Sequence, residues 1–282
     1  MMRLLYILFL SLLLSSCAWQ GNRVAGVTPT EAIPAGSTAD TAFCISQLFT
    51  APEQDSPELD STQINLLNWN THKYADTRAH DVLLNLGNNA DLILLQESIQ
   101  DYSHMPSVGT QLHWEFAPGY IQNGMKTGVM TASTAAPIAA CKLTHTEPWL
   151  RSPKATNITR YALSGTDETL LVINVHLINF TLGVSDMRTQ LKEALAFVKL
   201  HSGPVIVSGD FNTWSKHRNE VVINALTEMN LQPVEYADDQ RTRINGHPVD
   251  HLYVRDIRVT TATSHLVDSS DHNPISVVLE IL

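Results

Sequence analysis

Several apolar runs in this chain end in a carboxylate, an amide or an imidazole. Residues 64–69 (INLLNW) run into Asn70, and 92–95 (LILL) run into Gln96 and Glu97. Residues 171–175 (LVINV) run into His176, and 205–209 (VIVSG) run into Asp210, Phe211 and Asn212. Further on, Asp250 follows Val249, and Asp271-His272-Asn273-Pro274 follows Ser270. One polar residue after a strand is ordinarily a loop charge, and one strand-end histidine is ordinarily hydrogen-bonded within a core. Recurrence changes that reading, because strand ends that face one another gather their loops into a single pocket. Charges so close to apolar runs also require partners or a metal.

These residue types define a chemistry. Hard oxygen donors, with Glu97 foremost and Asp271 and Asn70 beside it, suit Mg²⁺ or Mn²⁺. No cysteine lies among them and no HExxH is present, which disfavours zinc. Two histidines, each near a carboxylate or amide, suit acid–base work and charge stabilisation. The sum is metal-assisted hydrolysis at phosphorus. A serine nucleophile is the rival, but there is no GxSxG elbow. A Walker loop is also absent, which argues against NTP-driven work.

The elements that must position these groups follow from periodicity. Strands are expected at 64–69, 92–95, 128–132, 138–143, 157–163, 170–177, 204–208, 249–254, 257–261 and 274–281. Helices are expected at 76–88, where Ala79, Val82, Leu83 and Leu86 share a face, at 186–200, and at 215–229 behind a Ser215 cap. So many strands with few helices between them imply two facing sheets with helices outside.

The chain has 282 residues, 44% of them hydrophobic and 16% charged, which is globular composition. That length accommodates one large α/β domain or two small ones. The formal net charge of −10 argues against a uniformly basic, nucleic-acid-coating surface. It does not exclude an enzyme whose cations come bound to acidic groups.

Residues 1–16 read as a signal peptide, with Arg3 followed by the apolar run 4–14, too short to span a bilayer. Leu14-Ser15-Ser16-Cys17 resembles a bacterial lipobox, which implies lipidation of Cys17. Ala18 then implies outer-membrane anchoring facing the periplasm. Residues 17–60 read as the lipidated cysteine and a tether, with a short helix at 41–49, and 61–282 as the folded domain. Of the 3 cysteines, Cys44 and Cys141 are left as a pair. A disulfide between arm and domain, and two separate buried thiols, both stand at this point.

Taken in order, LNWN (67–70), QE (96–97), NVHL (174–177), GDFN (209–212), VDH (249–251) and SDHNP (270–274) resemble the endonuclease/exonuclease/phosphatase superfamily. That group includes DNase I, exonuclease III-type AP endonucleases, neutral sphingomyelinases and inositol polyphosphate 5-phosphatases. GVMTAS (128–133), HLINFTLGV (176–184), GDFNTWS (209–215) and DDQRTR (238–243) are similar to its YafD-type bacterial branch. The resemblance spans about residues 61 to 282 and implies a four-layer α/β sandwich with the site at one edge between the sheets.

It also implies roles. Glu97 would be the principal ligand of Mg²⁺ or Mn²⁺, with Asn70, and Asp271 would lie at the metal. Asp210 would orient or deprotonate the attacking water, and Asn212 would hold a phosphoryl oxygen. His272, its tautomer fixed by Asp250, would bind the scissile phosphate or act as base. His176 would contact the phosphate or protonate the leaving oxygen. DNase I-like members pair the His176 position with a mid-chain Glu, and residues 123–128 supply no acid here. Lys73, Trp214, Arg241 and Arg243 are the substrate-contacting candidates.

The expected function is metal-dependent phosphodiester hydrolysis, with nucleic acid as the leading substrate. A lipid-headgroup or inositol-phosphate substrate is the alternative, and a non-catalytic lipoprotein scaffold is the rival class. The expected partners are a phosphoester and, through the N-terminal lipid, a membrane. No protein partner is predictable.

Overall fold

A computed structural model describes residues 38–50, 57–100, 112–122 and 124–282. The expected signal peptide and the Cys17 lipidation site lie outside these residues. Within the stretch read as a tether, Thr38–Thr50 form helix α1.

Two six-stranded mixed sheets face each other. The first has the order β13-β14-β1-β2-β4-β3, from β1 (Ile64–Asn70), β2 (Leu92–Ile99), β3 (His113–Gln122), β4 (Met125–Ser133), β13 (Ile257–Ser264) and β14 (Ile275–Ile281). The second has the order β5-β6-β7-β8-β12-β9, from β5 (Ala139–Thr146), β6 (Pro153–Ala162), β7 (Thr169–His176), β8 (Val205–Asp210), β9 (Gln232–Pro233) and β12 (Asp250–Arg255). A small hairpin pairs β10 (Arg243–Ile244) with β11 (His247–Pro248). Helix α2 (Arg78–Gly87) covers the outer face of the first sheet. Helices α3 (Ser185–Leu200) and α4 (Lys216–Thr227), with α1, cover that of the second.

Side chains of a strand alternate between faces, and the core follows that period. Leu66, Leu92 and Leu94 point inward to meet Val172, Ile206 and Leu252 between the sheets. Their neighbours Leu67, Ile93 and Leu95 point outward onto Leu83 of α2. Ile173, Val175 and Val207 likewise pack outward on Leu191, Leu195 and Val222 of α3 and α4. Burial on both faces explains why these strands read as nearly continuous apolar runs. The implied four-layer α/β sandwich is the observed fold.

Register brings the polar tips together. The parallel pairs β1–β2 and β7–β8 place Asn70 beside Gln96 and His176 beside Asp210. Antiparallel β12 then sets Asp250 opposite Asp210. Gly209 makes the β7–β8 contact possible: its φ is +142°, and a Cβ there would lie 2.0 Å from the Val175 carbonyl oxygen. On the far side of the second sheet, a disulfide joins Cys44 of α1 to Cys141 of β5 across 97 residues of sequence, with Cα atoms 5.4 Å apart. The arm is thus stapled to the domain.

Candidate active site

Glu97 sits where the β2–β4 register shifts between Leu95 and Ser98, and its φ of +47° turns the side chain off the alternation of the strand. One of its carboxylate oxygens, Oε2, meets the Lys73 ammonium. The other, Oε1, lies 3.8 Å from Lys154 Nζ and 3.9 Å from His176 Nε2. Burial works to raise its pKa, but the electrostatic pull of the nearby His176, Lys154 and Lys73 side chains overrides burial and holds it at about 2.

Asp210 is the hub. Its Oδ2 accepts from Asn70 Nδ2 at 3.0 Å and lies 3.4 Å from His176 Nε2 and 3.9 Å from His272 Nε2. Its Oδ1 accepts from the backbone N–H of Asn212 at 2.9 Å. Burial foremost, with the nearby Asp250 charge, raises its pKa to about 6 against the pull of His272 and Lys154. His272 Nδ1 donates to Asp250 Oδ2 at 2.8 Å. Burial opposes the charge on this ring, yet the Asp250 and Asp210 carboxylates hold its pKa up at about 10, so it is an imidazolium at neutral pH. Trp69 Nε1 and Ser270 anchor the loop that carries it, the first donating to the His272 carbonyl and the second to the Asn70 carbonyl, both at 2.8 Å.

Lys154, at the start of β6, is the site residue the sequence reading missed. It is buried, and its Nζ donates to His176 Nε2 at 2.8 Å. Lys154 is therefore the partner of His176, for which residues 123–128 supply no acid. Burial and the Lys154 charge push the His176 pKa well below its ordinary value, so this ring is neutral and accepting at Nε2. The available signal was a lysine opening KATNITRY (154–161), a stretch buried throughout. Such a charge needs a purpose or a partner. Behind the site, Gln96 Nε2 bridges Asn68 Oδ1 at 3.0 Å and Asn174 Oδ1 at 2.7 Å, tying the two sheets through buried amides.

The structure gathers Asn70, Glu97, His176, Asp210, Asn212, Asp250 and His272 at one edge. Asn212 Nδ2 donates to the Leu177 carbonyl at 2.9 Å, which fixes its side chain beside Asp210. Asp271, next to His272, has a 60% exposed side chain with Oδ1 3.6 Å from His72 Nδ1. The substrate candidates are mostly engaged. Lys73 is on Glu97. Trp214 Nε1 donates to Asn179 Oδ1 at 2.8 Å, beneath the Arg218 guanidinium. Arg241 and Arg243 share Asp239, and Arg241 Nη1 also holds the Asp250 carbonyl at 3.2 Å. Lys73, Arg241 and Arg243 are therefore paired inside the protein before any substrate arrives.

The donor set fits a hard divalent cation. Glu97 is ionised, and the buried Asp250 Oδ1 has no hydrogen-bond partner. Asp210, Asp250 and His272 also present ligand atoms all within 4.8 Å of one another. No thiol lies in this group.

The family model for the Endonuclease/Exonuclease/phosphatase family matches residues 67–272. A UPF0294 protein of Vibrio parahaemolyticus is 37% identical over 227 residues, which cover 77% of this chain and 78% of that protein. Among solved structures, the mannosyl-6-phosphatase of Bacteroides thetaiotaomicron superposes with a TM-score of 0.57 at 13% identity, covering 77% of this chain and 99% of that one. ANGEL2, a 2′,3′-cyclic phosphatase, gives a TM-score of 0.58 at 13% identity, covering 81% and 98%. At that identity the two structures speak to the fold alone, whereas the length of the family match and the Vibrio relative settle descent: this chain belongs to the endonuclease/exonuclease/phosphatase family.

Proposed function

We propose that this protein is a divalent-cation-dependent phosphoesterase that hydrolyses phosphodiesters by in-line attack of water at the face of a membrane to which Cys17 anchors it. The observation that carries the reading is the pairing of opposite protonation states over one edge. The Lys154 ammonium lies 3.8 Å from an ionised Glu97, and a charged His272 lies 3.9 Å from an Asp210 whose pKa is near 6. Such a split assigns donor and acceptor roles to neighbouring groups.

Glu97, with Asn70, would hold Mg²⁺ or Mn²⁺, which supplies charge neutralisation and polarisation of a P–O bond. Asp210, fixed by Asn70 and Asn212, takes the proton of the attacking water. His272, locked in orientation by Asp250, neutralises phosphoryl charge and returns a proton to the leaving oxygen. Lys154 places a second positive charge on the same side and keeps His176 neutral.

Nucleic acid is one substrate class for such a site. A lipid phosphodiester is the second, and a specific observation favours it. Arg241 and Arg243 are committed to Asp239, and Arg78 to Asp76 and Asp268, so these arginines do not form a free cationic track for a polyanion. The segments just before Lys154 and just after His176 instead expose large apolar side chains.

The test is hydrolysis of bis-p-nitrophenyl phosphate by the full chain in detergent, with Mg²⁺ or Mn²⁺. Glu97→Ala and His272→Ala are expected to lose about 10²-fold or more in kcat, and unchanged rates would overturn the assignment. Calorimetric titration with either cation separates an enzyme from a scaffold, since a scaffold would show no binding that Glu97→Ala abolishes.

A further inference from the structure

Two short segments at the end of the second sheet where β7 delivers His176 expose large apolar side chains. The turn between β5 and β6 leaves Trp149 58% and Leu150 60% exposed, and the loop between β7 and α3 leaves Phe180 48% and Leu182 78% exposed. The two are joined. Glu147, itself buried, accepts through Oε1 from the backbone N–H of Asn179 at 2.7 Å and of Phe180 at 3.2 Å. Each segment leads directly to the chemistry, since Lys154 follows the turn and His176 precedes the loop. Exposed Arg151 adds a positive charge beside Trp149 and Leu150. Grouped exposure of this kind marks a surface built to meet something.

The course of α1 shows what that surface faces. Thr41 Oγ1 donates to Glu193 Oε2 at 3.4 Å, and the same carboxylate oxygen lies 3.1 Å from His145 Nε2, two residues before Glu147. Cys44 is bridged to Cys141 further down β5. Phe49 reaches the ring of His201, whose Nε2 meets the carbonyl of Thr169 at the beginning of β7. Helix α1 therefore runs from the end of the domain where β7 delivers His176 to the end where β7 begins. Its N-terminus, the side from which the apolar run 4–14 and Cys17 come, lies at the same end as Trp149, Leu150, Phe180 and Leu182.

We propose that these four side chains form a docking surface for a lipid bilayer, so that the site opens toward the membrane from which the chain is suspended. Aromatic and leucine side chains with a flanking cation are the composition that settles at the headgroup boundary. The docking surface stands on exposure and on the course of α1. That it presents a lipid phosphodiester to Glu97 and His272 rests in addition on the phosphoesterase reading.

The experiment uses the full chain reconstituted into phosphatidylethanolamine/phosphatidylglycerol vesicles. The Trp149 emission is taken as the difference between wild type and Trp149→Phe. Brominated acyl chains are expected to remove more than about half of that difference, and aqueous iodide to leave it intact, as for a side chain at the acyl boundary. Leu150→Asp combined with Leu182→Asp, both exposed positions, should reverse the two sensitivities without changing hydrolysis of soluble bis-p-nitrophenyl phosphate. Trp149 emission that ignores the brominated lipid and stays open to iodide overturns the proposal. So does shielding of Trp149 by a single-stranded oligonucleotide but not by vesicles, which would make the surface a base-stacking platform. Quenching by brominated lipid in a protein that hydrolyses no soluble ester keeps the docking surface and removes only the catalytic reading.

Discussion

His272 gives the clearest prediction at the scale of one residue. Its folded pKa of about 10 lies above the ordinary histidine value of 6.5, because the attraction of Asp250 and Asp210 exceeds the cost of burial. A group raised in this way contributes stability fully below pH about 6.5 and loses it as pH rises through about 10. Urea unfolding of the chelator-treated protein should therefore show a midpoint that declines across that window. Asp250→Asn should flatten the decline and cost roughly 3 kcal/mol at neutral pH, the scale of a broken buried pair. Lys154→Met makes a second case. With its ammonium gone, His176 should titrate closer to an ordinary histidine by NMR, and kcat should fall on the order of 10²-fold; unchanged His176 titration would deny the contact its electrostatic role. Asn70, Glu97, His176 and Asp210 were legible because each ends an apolar run, whereas Asp250 and His272 were legible only through VDH (249–251) and SDHNP (270–274). Lys154 was not, since it begins its strand after a proline, with no preceding run to end. The pairing of Arg241 and Arg243 with Asp239 was hidden for a different reason: a loop fold-back has no period.

At the scale of elements, the contact between β7 and β8 controls the distance from His176 to Asp210. A methyl group at Gly209 would collide with the Val175 carbonyl at 2.0 Å, against backbone that cannot yield cheaply. Gly209→Ala is thus expected to lower stability by more than about 2 kcal/mol. If it folds, it should lose activity by moving Asp210, which thermal melts and kcat together would register. The strands buried on both faces were legible as apolar runs, though with frayed limits: β2 continues past Leu95 to Ile99 because a bulge lets pairing resume. Strand β3 escaped the reading. Pro118 and Gly119 interrupt it, its pairing with β4 slips between Pro118 and Tyr120, and as the edge of its sheet it carries mixed burial rather than alternation. The two-residue strands β9, β10 and β11 are too short for any periodicity.

At the scale of the molecule, sequence indicated two sheets and outer helices but left the attachment of α1 open between a bridge and free thiols. Only a distance decides that question. Closing a loop of 97 residues is worth several kcal/mol in the chain-entropy account, on the order of 4 to 5. Cys44→Ser should accordingly reduce the thermal midpoint, and dithiothreitol should lower the wild type toward the same value while leaving the variant unmoved. Equal melts with and without reductant would show that the bridge does not hold the fold.

Glu147 carries a consequence of its own. Its carboxylate fastens one loop to one turn, and neither supplies Glu97, Asp210 or His272, which are fixed by strands and by the 270–273 loop. The turn and the loop are thereby joined into one surface unit that borders those three residues without supplying any of them. A graft that replaces segments 147–151 and 178–184 to readdress the hydrolase must restore an acceptor for the N–H groups at 179 and 180, and must also keep partners for Gln190 and Arg218 at 178 and for Trp214 at 179.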